Sequence, residues 1–212
     1  MFTISTQSIP IKAIVGLACA AGSLIICAIA GTTPAGAALI NSGTCPGTTL
    51  SHPFAAWGDS SSYEVVPGGS FEGSLAGWSL AGGATRTTGS ESYGVTGTVG
   101  QSSLMLPAGA SAQSPPVCVD ASDPTFRFFV HNNSLLSTVA VQVVYPTLLG
   151  PVALPLGAAV LSPTWKPTLP MLTGSLAGAL LNGGTTQLSL RFTALLGKSQ
   201  IDDVFVDPRG TR

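Results

Sequence analysis

From residue 62 onward the chain is cut into short runs of alternating or β-branched residues, separated by turn signals. The runs are SYEVV (62–66), SFE (70–72), GWSLA (77–81), ATRTT (84–88), SYGVT (92–96) and SSLMLP (102–107). PVCVD (116–120), TFRFFVHN (125–132), STVAVQVVYP (137–146), PVALPL (151–156) and AVLS (159–162) follow. PTLPML (167–172), TQLSLRFTAL (186–195) and SQIDDVFVD (199–207) close the series. Short strands at this spacing specify an all-β sandwich, because each strand needs neighbours for its backbone and an opposing layer for its apolar side. Two runs show which side is apolar. Phe126, Phe128 and Val130 share one face, and Arg127, Phe129 and His131 the other. Leu188, Leu190 and Phe192 oppose Ser189, Arg191 and Thr193 in the same way. Period two implies a buried face and a wetter one. GSLAGALLNGG (174–184) departs from this period; Leu176 and Leu180 lie four apart before two glycines, which predicts a short helix with a glycine stop.

Composition agrees with that class. Gly 26 and Pro 16 favour turns over helices. Charged residues are 8% of the 212, against about 25% in ordinary soluble proteins. A net charge of -1 excludes an electrostatic case for nucleic acid.

The N-terminus predicts export. Lys12 precedes the apolar run AIVGLACAAGSLIICAIA, and Ala35 and Ala37 supply an A-x-A site. That order describes a signal peptide over 1–37, removed after Ala37, which leaves the chain extracellular and off the membrane. An uncleaved anchor is the alternative. A lipid-anchored Cys19 or Cys27 is a third option, though neither "GLA" nor "LII" before them makes a good lipobox. Cleavage leaves Cys45 and Cys118, an exported pair that predicts one disulfide. Closing a loop of this length is worth at most about 4 kcal/mol. Two unpaired thiols are the alternative. Residues 38–61 show no sustained period and predict an irregular N-terminal arm; 62–212 then form one β-sandwich domain.

Glu72 follows Phe71, and Asp202 and Asp203 stand between apolar residues near the other end. Buried carboxylates need a cation or several donors. With Lys12 removed, seven Lys and Arg remain, so cationic side chains are scarce. A structural Ca²⁺ suits such a donor set and would tie the first body strand to the last. Alternatively, Glu72 accepts backbone N–H bonds at a strand end. The segments GGSFEGSLAGW and IDDVFVDP resemble the opening and closing motifs of jelly-roll carbohydrate-binding modules of the galactose-binding-like fold. The resemblance implies a jelly-roll sandwich, Glu72 and Asp202 as Ca²⁺ ligands with Asp203 as substitute, and Trp78 in the core. CPGTTLSHPFAAWGD, SPPVCVD and QIDDVFVDP are also similar to small exported actinobacterial proteins of unassigned role, a likeness that supports export and one compact unit.

Catalytic patterns are absent or incomplete. GDS at 58–60 lacks the apolar strand before it, the helix after it and a histidine near the C-terminus that a serine hydrolase needs. No G-x-S-x-G elbow occurs. The two histidines, His52 and His131, could serve a triad only by tertiary geometry. Nothing pairs Glu64 and Glu91 as glycosidase acids. Histidines and cysteines lack zinc spacing, and there is no phosphate-binding glycine loop. DASD (120–123) predicts a turn. Sugar binding by analogy calls for exposed rings beside polar groups on one sheet face. Trp57, Trp165, Arg127, His131 and Arg191 are the candidate ligand-binding residues, with Tyr93 and Gln142 near them in character. The alternative is ordinary surface, with Trp165 anchored between Pro163 and Pro167. The sequence thus predicts an exported, non-catalytic binding module for a glycan or cell-wall polymer. The alternative is a structural or surface protein that binds other proteins through an apolar face such as PTLLGPVALPLGAAV (146–160).

Overall fold

The computed structural model describes residues 48–120, 124–132, 137–160, 162–173 and 185–208, all within the compact unit Ala37–Arg212. The leader at 1–37, Cys45 and the helix expected over 174–184 lie outside the described residues. Among the described residues, a 3-10 turn at Ala55–Trp57 precedes thirteen strands. These are β1 (Glu64–Val65), β2 (Ser79–Ala81), β3 (Thr85–Thr88), β4 (Ser102–Leu106), β5 (Ser111–Gln113), β6 (Val117–Asp120) and β7 (Thr125–Asn132). Then come β8 (Thr138–Tyr145), β9 (Val152–Val160), β10 (Lys166–Pro167), β11 (Met171–Leu172), β12 (Thr185–Leu196) and β13 (Ser199–Asp207).

Two antiparallel sheets form the jelly-roll sandwich that the sequence predicts. The first runs β10-β7-β13-β4-β3, with β1 also on β13 and β11 on β7. The second runs β2-β5-β12-β8-β9, with β6 also on β12. The alternation read from β7 and β12 fixes what lies between them. Phe126, Phe128 and Val130 meet Leu188, Leu190 and Phe192 in the main core, where the Phe128 and Phe192 rings pack edge to face at 5.0 Å. Each such side chain contributes about 1.5–3 kcal/mol by leaving water.

The body's first and last strands are neighbours. Glu64 lies opposite Val206 and Val65 opposite Phe205. Beyond β1 the Val204 carbonyl takes the Val66 N–H at 2.9 Å, and the Val204 N–H reaches Gly69 O at 3.0 Å. There the register between β13 and β7 slips between Asp202 and Phe205, a bulge in which Asp203 adopts φ 44°.

Three expectations are corrected. The face of β7 that carries Arg127, Phe129 and His131 is not simply wet. Arg127 is 4% and Phe129 0% exposed, because Phe54 of the N-terminal arm and Tyr63 cover this face in a second cluster with Phe205. SFE (70–72) is a turn rather than a strand. Gly68 at φ 69° starts it, and Phe71 at φ 56° swings its ring inward, 5.1 Å from Trp78. SYGVT (92–96) is also a loop, held by the carboxylate of Glu91. Trp78 is a core residue, 8% exposed, and its indole N–H donates to Pro67 O at 2.9 Å. Among the described residues no helix is long and apolar enough to cross a membrane.

Candidate functional site

The acidic seam lies where β1 and the loop after it meet the β13 bulge. Asp202 is fully buried. Its Oδ2 accepts from Ser90 Oγ at 2.7 Å and Glu91 N at 2.9 Å, and its Oδ1 from Asp203 N at 2.9 Å. Glu91, also fully buried, accepts the N–H groups of Tyr93, of Gly94 at 2.7 Å and of Val95 at 3.3 Å. Glu72 is more exposed, and its Oε1 accepts the Gln101 and Ser102 N–H groups, both at 2.7 Å. Gly100 lets these groups approach, since a Cβ there would collide with the Glu72 carboxylate and Ser90 Oγ. Among the described residues no cationic side chain donates to Asp202, Glu91 or Glu72; backbone N–H groups and the Ser90 hydroxyl do, and the Asp203 and Glu91 carboxyls share a hydrogen bond.

Burial pushes Asp202 up to about 7, against the pull of its hydrogen bonds from Ser90 and the backbone. Asp203 is pushed up to about 8, by burial first, then by Asp202, Glu91 and Glu72. The seam therefore brings the three residues expected at a metal site into electrostatic contact and adds Glu91. Yet among the described residues no three acidic, histidine or cysteine side chains converge closely enough to enclose an ion. What fits Ca²⁺ is the chemistry of the set: hard carboxylate oxygens, buried, with negative charge uncompensated by any cation among their hydrogen-bond donors.

The second region is the outer face of the first sheet. Phe54 sits on Phe129 with ring centroids 5.8 Å apart, and Phe205 and Tyr63 meet Phe54 edge-on. On this floor stand two part-exposed rings, Trp57 at 36% and Tyr93 at 50%, packed edge to face at 4.9 Å. Tyr93 donates its hydroxyl to Trp165 O at 3.2 Å, and His131 lies 5.3 Å from the Trp165 ring. His131 is flanked by Gln200 Oε1 and Pro163 O, each at 3.0 Å. The result is a strip of rings that runs from the arm across to the loop before β10.

Beside Trp57 opens a cleft of about 630 Å³, walled by Trp57, Asp59, Ser61, Tyr63, Arg127 and Leu169 among others. Arg127 donates from Nη1 to Asp59 Oδ2 at 2.7 Å and from Nε to Thr168 O at 2.8 Å, and its guanidinium lies 4.2 Å over the Phe54 ring. Burial would raise Asp59, but hydrogen bonds from Arg127, Ser61 and Tyr63 bring it below its ordinary value. Tyr63 is pushed up to about 12, mainly by burial. The cleft thus offers an aromatic wall beside a hydrogen-bonding set whose charges cancel. A second hollow of about 480 Å³ is lined by Trp57, His52 and Tyr93.

Trp57, Trp165, Arg127 and His131 therefore share one sheet face. Arg191 does not join them. It lies on β12 of the second sheet, its Nε and Nη2 both on Gln113 Oε1 at 3.0 and 2.7 Å. Tyr63 was not singled out from the sequence, and Asp59 and Glu91 were weighed there only in other roles, within GDS and as a glycosidase acid. Asp59 is recruited by Arg127 from 68 positions away, which no local pattern signals. Glu91 had a faint signal, an acid shortly before Gly94, where a carboxylate can gather the N–H groups of a turn. Cys118 is half-buried on β6, and its proposed partner Cys45 lies outside the described residues.

No protein-family model matches the chain, and no curated protein matches it. Solved structures resemble it at low identity. One is the Clostridium thermocellum endo-1,4-β-D-xylanase 10B CBM22-1–GH10 protein complexed with xylohexaose: TM-score 0.46, 16% identity, 68% of this chain and 27% of that one. The CBM22-1 xylan-binding domain of Paenibacillus barcinonensis Xyn10C gives TM-score 0.43 and 15% identity over 65% of this chain and 89% of that one. TmCBM61, solved with β-1,4-galactotriose, gives 0.39 and 13% over 67% and 96%. The chain thus spans about a quarter of the xylanase chain, and at these identities no ligand is carried over from any of them.

Proposed function

We propose that this protein is an exported, non-catalytic module that binds a glycan, such as a cell-wall polymer, on the outer face of the first sheet. The observation that carries the reading is the pair of part-exposed rings, Trp57 and Tyr93, standing beside the Asp59–Tyr63–Arg127 cleft. Rings cover the apolar faces of pyranoses, while a pre-paired set of donors and acceptors fixes hydroxyls without attracting a net charge. Trp165 and His131 extend the strip. Arg191, on the opposite sheet, would belong to a separate contact. In this reading Ca²⁺ is structural and would be held by Glu72, Asp202 and Asp203, whose charge it would neutralise. Calorimetric titration with neutral wall polysaccharides tests the proposal. Saturable heat that disappears in Trp57→Ala supports it; no heat with any of them removes it.

One observation favours a second reading, a surface protein that docks other proteins through an apolar patch. Leu148 and Leu149 at the β8–β9 turn are 79% and 91% exposed, and Val152 beside them is 42% exposed. Retained partner capture after Leu148→Ser and Leu149→Ser would dismiss it.

A further inference from the structure

A different part of the molecule has a different chemistry. Between Ser162 and Met171 the chain carries Pro163, Pro167 and Pro170. Proline has no N–H to give a ladder, so this stretch contributes only the two-residue strands β10 and β11 to the edge of the first sheet. The second sheet ends nearby in β9. The two edges leave a slot of about 320 Å³ between them, near the lower bound for small-ligand sites, about 300 Å³. Core residues line it, Val130 at 2% and Ala159 at 4% exposure, and Ala158, Pro167, Leu169 and Met171 complete the apolar walls.

The polar groups in this slot are already spent. Thr168 Oγ1 takes the Phe128 N–H at 3.2 Å, and Ser162 Oγ is engaged by Thr164. Both hydroxyl oxygens are thus engaged, which leaves a sugar few partners on these walls. The exception is Lys166, exposed at the rim, whose ammonium has no hydrogen bond or ion pair among the described residues. An apolar slot with one unpaired cation at its mouth complements an alkyl chain that ends in an anion.

We infer that the slot between β9 and β10–β11 binds a medium-length fatty carboxylate, chain inward against Val130 and Ala159, carboxylate at Lys166. The glycan reading plays no part in this, because of the residues that line the two sites only Leu169 is common to both.

Calorimetric titration of the purified chain with decanoate, octanoate and hexanoate, each below its aggregation concentration, tests the inference. Decyltrimethylammonium serves as the control of opposite charge. Decanoate binds saturably at one site, and affinity falls about fourfold per methylene removed. Lys166→Gln weakens decanoate about fivefold and does not weaken the cationic control. Ala158→Phe, at an exposed position on the edge strand, blocks the slot with the melting temperature kept. Trp57→Ala leaves decanoate binding intact, which separates this site from the glycan site. No saturable heat with decanoate, affinity independent of chain length, or equal binding of the cationic amphiphile overturns the inference.

Discussion

Replacing Asp203 by Asn should make the ion-free protein more stable at neutral pH. Asp203 is 3% exposed, and burial with Asp202, Glu91 and Glu72 pushes it from 3.8 up to about 8. A group raised on folding contributes its full stability below the unfolded value and loses it as pH climbs toward the folded one. Each pH unit in which the unfolded chain has released the proton and the folded one has not costs about 1.4 kcal/mol. Between pH 5 and 7 that is about 3 kcal/mol from Asp203, and Asp202, pushed to about 7, acts in the same direction. Asparagine keeps the shape, cannot ionise, and tolerates the left-handed φ of 44° found here. Counted from the unfolded value, the cost at pH 7 is about 4 kcal/mol, so in chelator at pH 7 Asp203→Asn should gain about that much, or roughly 8–16 °C in Tm. The gain should shrink toward pH 4. In excess Ca²⁺ it should also shrink, because the variant has lost a proposed ligand. Scanning calorimetry from pH 4 to 8, with chelator and with Ca²⁺, gives all these numbers. Wild-type stability that is flat from pH 5 to 7 in chelator, or an Asn variant that is weaker there, would refute the argument.

Three further outcomes are expected. Trp57→Ala should weaken glycan binding about tenfold while costing about 1–2 kcal/mol of stability, whereas Arg191→Ala should leave affinity unchanged; parallel titrations read both. Arg127→Met should cost about 3–5 kcal/mol in urea unfolding, since it leaves Asp59 without the cation now 2.7 Å away. Peptide mapping without reductant should recover Cys45 linked to Cys118, and replacing both by serine should cost about 2–4 kcal/mol.

The candidate site was partly legible. Trp57, Trp165, Arg127 and His131 could be placed near one another because β7 alternates and two of them lie on its less apolar side. What could not be read was that this side is mostly covered. Phe54 reaches Phe129 from 75 positions away, and no periodicity in the arm marks a residue destined for a sheet's outer face. The same distance hid Asp59 as the counter-ion of Arg127. Arg191 was grouped with Arg127 because both alternate with core residues, but alternation tells which side of a strand is buried, not which sheet the strand joins. The slot beside Lys166 was hidden for a related reason: prolines announce broken pairing, and only the packed sheets reveal the space it leaves.

The sequence by itself determined the strands of the core and the two ends of the sandwich. Period-two alternation in β7 and β12 is a local property, and it requires an opposing apolar layer whatever the topology. It also placed scarce carboxylates among apolar residues at both ends of the body, which demands compensation wherever they meet. Only the tertiary structure decided that they meet at the β13 bulge beside Glu91, and that the arm roofs one sheet face while, among the described residues, a slot is left at the sheet edges. Those outcomes depend on contacts between residues far apart in sequence, whose free energy exists only once both sheets have formed.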